Sequence, residues 1–365
     1  MKNQLFLLLI GLLLSLDSYA NYPRVRNNRD SINDGPYIFQ LNNKIKARWI
    51  ENGVYKEAFI VPDNFHQIKK KFGLSFNYDD LKDVNKLKSN YNQIYRNIDS
   101  ISVISDIHGE YTTYIDLLKA TGIIDKNLNW NFGTGHLVVL GDIFDRGDMV
   151  TEVLWHLFGL EKQAEKAGGM VHVLLGNHEF MALSHNLADV NEKYGKAVAV
   201  FNTGYAELYS EKSVLGKWLR SKPIIITIND ILFVHGGISM EMVHRNLKID
   251  QINRIFMTKI VGKNQQEVNC IEMQKFLNKT NGPLWYRGYF DDTNFCESKI
   301  DSILSFYGKN HIVVGHTPNT EIISLFSTKI LGADAGIMNN QPGEMLIYKN
   351  GSFYKCFRTG RRIEL

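Results

Sequence analysis

Only three cysteines, Cys270, Cys296 and Cys356, occur among 365 residues. Their spacing matches no zinc-ligand pattern, which excludes a cysteine-built metal site. In an exported chain one disulfide remains open, and Cys270 with Cys296 is the pairing expected. Charge of one sign is equally scarce. A formal net charge of +4 gives no reason to invoke nucleic acid at this length, and the run Lys69-Lys70-Lys71 reads as a solvated face. No internal repeat and no low-complexity tract is present. Long apolar runs are missing too: Leu5 to Leu14 is about ten residues, against ~20 for a bilayer span. That stretch follows Lys2 and precedes Ser18-Tyr19-Ala20, a small-x-small cleavage pattern. Residues 1–20 therefore read as an export signal, with a mature chain secreted or periplasmic and no stable membrane insertion after cleavage.

What is present is the composition of a globular enzyme, 44% hydrophobic and 22% charged, long enough to bury a large core. Residues 21–36, with Pro23 and Pro36, read as an extended lead-in. Ala47 to Ile60 carries Asn52-Gly53 between two β-rich runs, the strongest short hairpin signal. Residues 63–99, rich in Lys, Asn and Asp, suggest a surface helical arm. Residues 21–100 are thus expected to form a hairpin and an arm packed on a catalytic domain spanning 101–365.

From Ile101 the pattern becomes strand, loop, helix in repetition. Strands are expected at Ile101–Ile104, Leu137–Leu140 and Val171–Leu175, with helices at Tyr111–Ala120 and Met149–Ala167 between them. A hairpin about Asn229-Asp230 should deliver His235, and His311 to Val314 should deliver His316. Two segments, Ile322–Leu331 and Met345–Phe357, close the chain, the second turning at Asn350-Gly351. Residues 180–220 read as helical, with Tyr194, Tyr205, Tyr209 and Trp218 in the core.

Five strings sit just past the ends of apolar runs: Ser105-Asp106-Ile107-His108-Gly109, Gly141-Asp142 through Asp145-Arg146-Gly147, Gly176-Asn177-His178-Glu179, His235-Gly236-Gly237 and Gly315-His316-Thr317. Ligand sites of α/β sheets lie at that edge. On an extended backbone, Asp106 and His108, two apart, would face the same way and reach one metal. Asp142 can bridge two cations, Asn177 adds a neutral oxygen, and His235 and His316 add imidazoles. This mixed oxygen and nitrogen set suits manganese, iron or zinc better than calcium or magnesium. Asp145 can hydrogen-bond His178, and Arg146 offers a planar fork for phosphate. His66, His136, His156, His172, His185, His244 and His311 lack such settings and read as structural.

The set and its order resemble the phosphoprotein phosphatase branch of the calcineurin-like metallophosphoesterases over about 101–340. The resemblance implies an α/β fold of two mixed β-sheets, sandwiched and flanked by helices. It also implies a hydrolase using two divalent metal ions, manganese foremost. Asp106, His108 and His316 would hold one ion, Asn177 and His235 the other, with Asp142 bridging. His178 would be the general acid supported by Asp145, and Arg146 a phosphate clamp. A second phosphate arginine is expected at Arg287, in Pro283-Leu284-Trp285-Tyr286-Arg287-Gly288. The last histidine lies in Gly-His-Thr-Pro, and the loop Ser-Ala-Pro-Asn-Tyr-Cys of the animal enzymes is missing. Both features look like the bacterial-type, Shewanella-like phosphatases. The activity implied is hydrolysis of phosphorylated Ser, Thr or Tyr in a protein or peptide, by a hydroxide shared between the cations. Dinucleoside polyphosphate hydrolysis and a non-catalytic phosphoprotein-binding module are the alternatives.

Overall fold

The computed structural model describes residues 31–365 apart from 43, 88, 89, 92 and 340. The expected export signal at 1–20 and most of the expected lead-in lie outside the described residues.

Two six-stranded sheets form the centre. One runs in the order Arg362–Glu364, Ser352–Phe357, Glu344–Lys349, Ser100–Ile104, His136–Val139, Met170–Val173. Its last three strands are parallel, so helices Tyr111–Thr121 and Val150–Lys166 serve as the crossovers that parallel pairing requires. The other sheet runs Ile323–Leu325, Ile330–Gly332, His311–Val314, Ile231–Val234, Ile225–Ile228, Ile94–Tyr95. Here His311–Val314 is parallel to both of its neighbours. The closing segment at 322–331 supplies a short antiparallel pair, Ile323–Leu325 with Ile330–Gly332.

Alternation along each strand sorts the core into two layers. Ile101, Val103, Val138 and Leu140 meet Ile226, Phe233, Val313 and Leu331 in the layer between the sheets. Ile104, Leu137 and Val139 belong to the other layer, with Leu117, Leu118, Leu154 and Phe158 of the crossover helices. Each such side chain contributes ~1.5–3 kcal/mol on burial. The α/β architecture of two mixed sheets flanked by helices is thus present as expected.

A third, antiparallel sheet comprises Asp34–Leu41, Lys44–Glu51 and Val54–Ile60. Its second turn is the expected one, with Asn52 at φ 51° and Gly53 at φ 72°. The stretch following it carries helices Pro62–Phe72 and Tyr78–Asp83. Phe65, Phe76 and Leu81 are buried, and Phe76 packs on Trp155 and Phe158 with ring centroids 5.3 and 4.9 Å away. In helix Pro62–Phe72, Phe65 and Ile68 make a narrow apolar stripe that the surrounding lysines hide in composition. The Cys270–Cys296 disulfide is absent. Cys270 follows helix Gln265–Asn269 and Cys296 precedes helix Glu297–Tyr307, and both thiols are free and exposed. Pairing would need their Cβ atoms about 3.5–4.5 Å apart, a condition that sequence separation does not set. Among the described residues no helix is long and apolar enough to cross a membrane.

One structural histidine sets an acid limit on stability. His156 Nε2 donates to the Leu128 carbonyl at 3.0 Å, which leaves Nδ1 to accept from the Tyr114 hydroxyl at 2.9 Å. The ring is therefore neutral, and burial pushes its pKa down to about 4. The unfolded chain, with a pKa of ~6.5, binds more protons in between, so stability falls as pH drops from about 6.5 to about 4. The expected contribution is about 3 kcal/mol. Urea melts across that interval should lose the corresponding slope in His156→Gln; an unchanged slope would contradict the assignment.

Candidate active site

Six strand ends from both central sheets converge on one edge. Ser100–Ile104 leads to Asp106 and His108, His136–Val139 to Asp142, and Met170–Val173 to Asn177 and His178. Ile231–Val234, His311–Val314 and Ile330–Gly332 lead to His235, His316 and Asp334. The backbone there is not extended. Asp106, His108, Asp142, Asp145, Arg146 and His316 have φ of 52°, 46°, 54°, 69°, 65° and 64°. Left-handed conformations of this kind cost of order 1–3 kcal/mol each and cluster at functional sites. Asp106 and His108 share a side because both residues flip, not because a strand has period two.

Glycines permit the close approach. A Cβ on Gly176 would lie 2.2 Å from Asp142 Oδ1, and one on Gly315 would lie 1.9 Å from Ser105 Oγ. Ser105 itself donates to Asp106 Oδ2, which also accepts the His316 N–H at 3.0 Å.

The imidazoles are oriented by their second nitrogens. His108 Nδ1 lies 2.7 Å from the Phe144 carbonyl and His235 Nδ1 lies 2.9 Å from the Leu140 carbonyl. A carbonyl only accepts, so each Nδ1 carries a proton and Nε2 is the ring nitrogen left to face inward. Those nitrogens ring Asp142 Oδ2, at 3.8 Å for His108 and 3.2 Å for His235, with His178 Nε2 at 3.8 Å. Asn177 Oδ1 is 2.9 Å from His235 Nε2. Burial alone would raise the Asp142 pKa, but His235, His178 and His108 outweigh it and hold the carboxyl well below the usual range. Burial likewise opposes charge on His235, yet Asp142 dominates and lifts it to about 9.

Two donor groups emerge, His108 with Asp142 and His178, and Asp142 with His235 and His316, each with its ligand atoms within 4.8 Å of one another. Asp142 belongs to both, as a bridging carboxylate would. His316 groups with His235, while its backbone is tied to Asp106. Carboxylates beside inward-facing imidazole nitrogens and an amide oxygen are a donor set that fits divalent cations.

His178 has a further tie. Its Nδ1 sits 2.6 Å from Asp145 Oδ2 and its Nε2 lies 3.5 Å from Arg146 Nη2. Burial works against a charged ring here, but the Asp145 hydrogen bond and the charge of Asp142 outweigh it and raise the pKa. Arg287 Nε donates to His316 Nε2 at 3.1 Å. All ten residues singled out in the sequence lie here; Asp106, His108, Asp142, Arg146, Asn177, His178, Arg287 and His316 line a cavity of about 350 Å³, with Asp145 and His235 behind it.

Three features escaped the sequence reading. Glu179, fully buried, accepts N–H bonds from Asp142, Ile143, Phe144 and Gly176 at 2.8, 2.7, 3.2 and 2.7 Å. It pins the loop carrying Asp142 to the helix start carrying Asn177. Met181, Trp285, Pro318 and Met338 add apolar walls to the cavity. Asp334, 2% exposed, adds a carboxyl that burial, and then Asp106, push up to about 8. Its signal was Gly332-Ala333-Asp334-Ala335-Gly336 after an apolar run, the same wording as the five strings.

Such a cleft, with donors for two cations beside paired guanidinium groups, defines a metal-dependent phosphoester hydrolase. The profile of the calcineurin-like phosphoesterases matches residues 100–320, and the chain belongs to that family. It is 38% identical to the cold-active protein-tyrosine phosphatase of a psychrophile, Shewanella sp. That structure superposes with a TM-score of 0.81 over 92% of this chain and 99% of that one. Shewanella-like protein phosphatase 1 of Plasmodium berghei is 30% identical across 70% of this chain and 72% of its own length. Shewanella-like protein phosphatase 2 of Arabidopsis thaliana is 21% identical across 64% and 70%.

Proposed function

We propose that this metallophosphoesterase is a phosphomonoesterase of phosphorylated protein side chains, phosphotyrosine foremost. The observation that carries the reading is the cavity wall: Arg146, Arg287 and His178 gather at the donor cluster, and Met181, Trp285, Pro318 and Met338 surround them. Two planar forks match the oxygens of a phosphate dianion, and an apolar surround matches an aromatic ring better than a short alkyl chain. The relatives named as protein phosphatases, one of them a tyrosine phosphatase, support it.

Asp106, His108 and His316 would hold one cation and Asn177 and His235 the other, with Asp142 between them. When bound, such a pair supplies Lewis acidity and lowers the pKa of water towards neutrality. Manganese is the pair proposed first, with iron or zinc as substitutes. Arg146 and Arg287 hold the phosphate oxygens and stabilise their growing charge. His178, kept protonated through Nδ1 by Asp145 at 2.6 Å, delivers the Nε2 proton to the leaving oxygen. Action in the periplasm or outside the cell is proposed on the leader-like residues 1–20 alone.

A panel of pTyr, pThr and pSer peptides with diadenosine tetraphosphate, run with manganese, iron and zinc separately, tests the reading. The pTyr peptide should lead in kcat/KM by up to about tenfold, the worth of one good aromatic contact. Preference for pSer would overturn the aromatic part, and preference for the dinucleotide the whole reading.

A further inference from the structure

Asp334 enters the site from a strand that none of the five strings contains. Ile330–Gly332 pairs in parallel with His311–Val314, with Gly332 opposite Val314, so its end arrives beside the loop of His316. The backbone is fixed there: Ala333 N–H donates to the Val314 carbonyl at 2.7 Å, and Asn319 N–H to the Asp334 carbonyl at 3.1 Å. The side chain is 2% exposed and lines the cavity shared by Asp106, Asp142, His316 and Arg287. Oδ1 accepts the Gly336 N–H at 3.2 Å, whereas Oδ2 receives no hydrogen bond from any described residue. That oxygen is left available to a cation in the cavity.

We propose that Asp334 is a further positioning residue of the metal centre, its unbonded carboxyl oxygen supplying negative charge to the cation held by Asp106, His108 and His316. The proposal rests on the two-cation reading above. It assigns Asp334 two opposed effects. The carboxylate strengthens cation binding, and it weakens binding of the phosphate product, because both negative groups face the same cavity. Fast release of product follows from the second effect.

The test uses the full chain, stripped with a chelator and titrated with Mn²⁺ by calorimetry. At saturating Mn²⁺ the inhibition constant for inorganic phosphate is then measured. Asp334→Asn should weaken cation binding by about 10–100-fold, as loss of a supporting group does. The same variant should bind phosphate roughly fivefold more tightly, as removal of one nearby negative charge allows. Asp334→Glu, which keeps the charge, should restore cation affinity. A merely structural role would weaken both affinities together, and that outcome overturns the proposal. Cation affinity in Asp334→Asn equal to that of the unaltered chain overturns it as well. Should Asp334→Asn fail to fold, loss of cation affinity in a folded Asp334→Glu is the overturning result. If the unaltered chain itself takes up no ions, the two-cation reading fails instead, so the two failures are told apart.

Discussion

His178→Asn should cut turnover of an alkyl phosphate by about 10²–10⁴ while leaving cation content unchanged. The expectation comes from the asymmetry of the ring. Nδ1 is committed to Asp145 Oδ2 at 2.6 Å, and Nε2 faces the guanidinium of Arg146 at 3.5 Å. Asp145 overcomes the burial that opposes charge, so the ring keeps a proton to give. The same Nε2 also lies 3.8 Å from Asp142 Oδ2, within reach of a cation shared with His108. The two roles separate cleanly in one variant. A proton donor gives a deficit that shrinks as the leaving group improves, large for alkyl esters and small for phenyl phosphates, with metal content intact. A ligand gives lost metal and an equal deficit for every leaving group, and that pattern would refute the donor role.

Asp142→Asn should be the more damaging change, with loss of turnover at or beyond ~10⁴ and sub-stoichiometric metal. Asp142 Oδ2 is the one atom ringed by His108, His178 and His235, and Oδ1 accepts the His178 N–H at 3.0 Å. An amide keeps the shape but removes the charge that lets two cations sit side by side. The pKa of His235, held at about 9 chiefly by Asp142, should fall with it. Metal analysis after dialysis, with imidazole titration by NMR in the metal-free protein, reads both effects. Full metal content in Asp142→Asn would show that the carboxylate is not the bridge.

The strands, the crossover helices and the strand-end strings were legible in the sequence because each is local. An apolar run, a glycine and a polar ligand within a few residues encode where a strand stops and what it presents. What stayed hidden depends on distant partners or on backbone geometry. Asp106 and His108 both adopt left-handed φ values, so the strand period that places them on one side of an extended backbone does not apply. Glu179 stood inside a recognised string, yet its work is done on N–H groups of residues 142–144, delivered by another strand. Asp334 is a lone carboxylate without a histidine beside it. The buried stripe of Phe65 and Ile68 was masked by neighbouring lysines, and two cysteines on separate helix ends carried no information about their spacing.

Metal content and hydrolysis measured together on one preparation test the dinuclear site most directly. The full chain is stripped with a chelator, titrated with Mn²⁺, and assayed at each point on a pTyr peptide. Two ions bound per chain are expected, with activity rising only as the second site fills. Fewer than one ion at saturation, or no hydrolysis of any phosphopeptide with both sites filled, would contradict it.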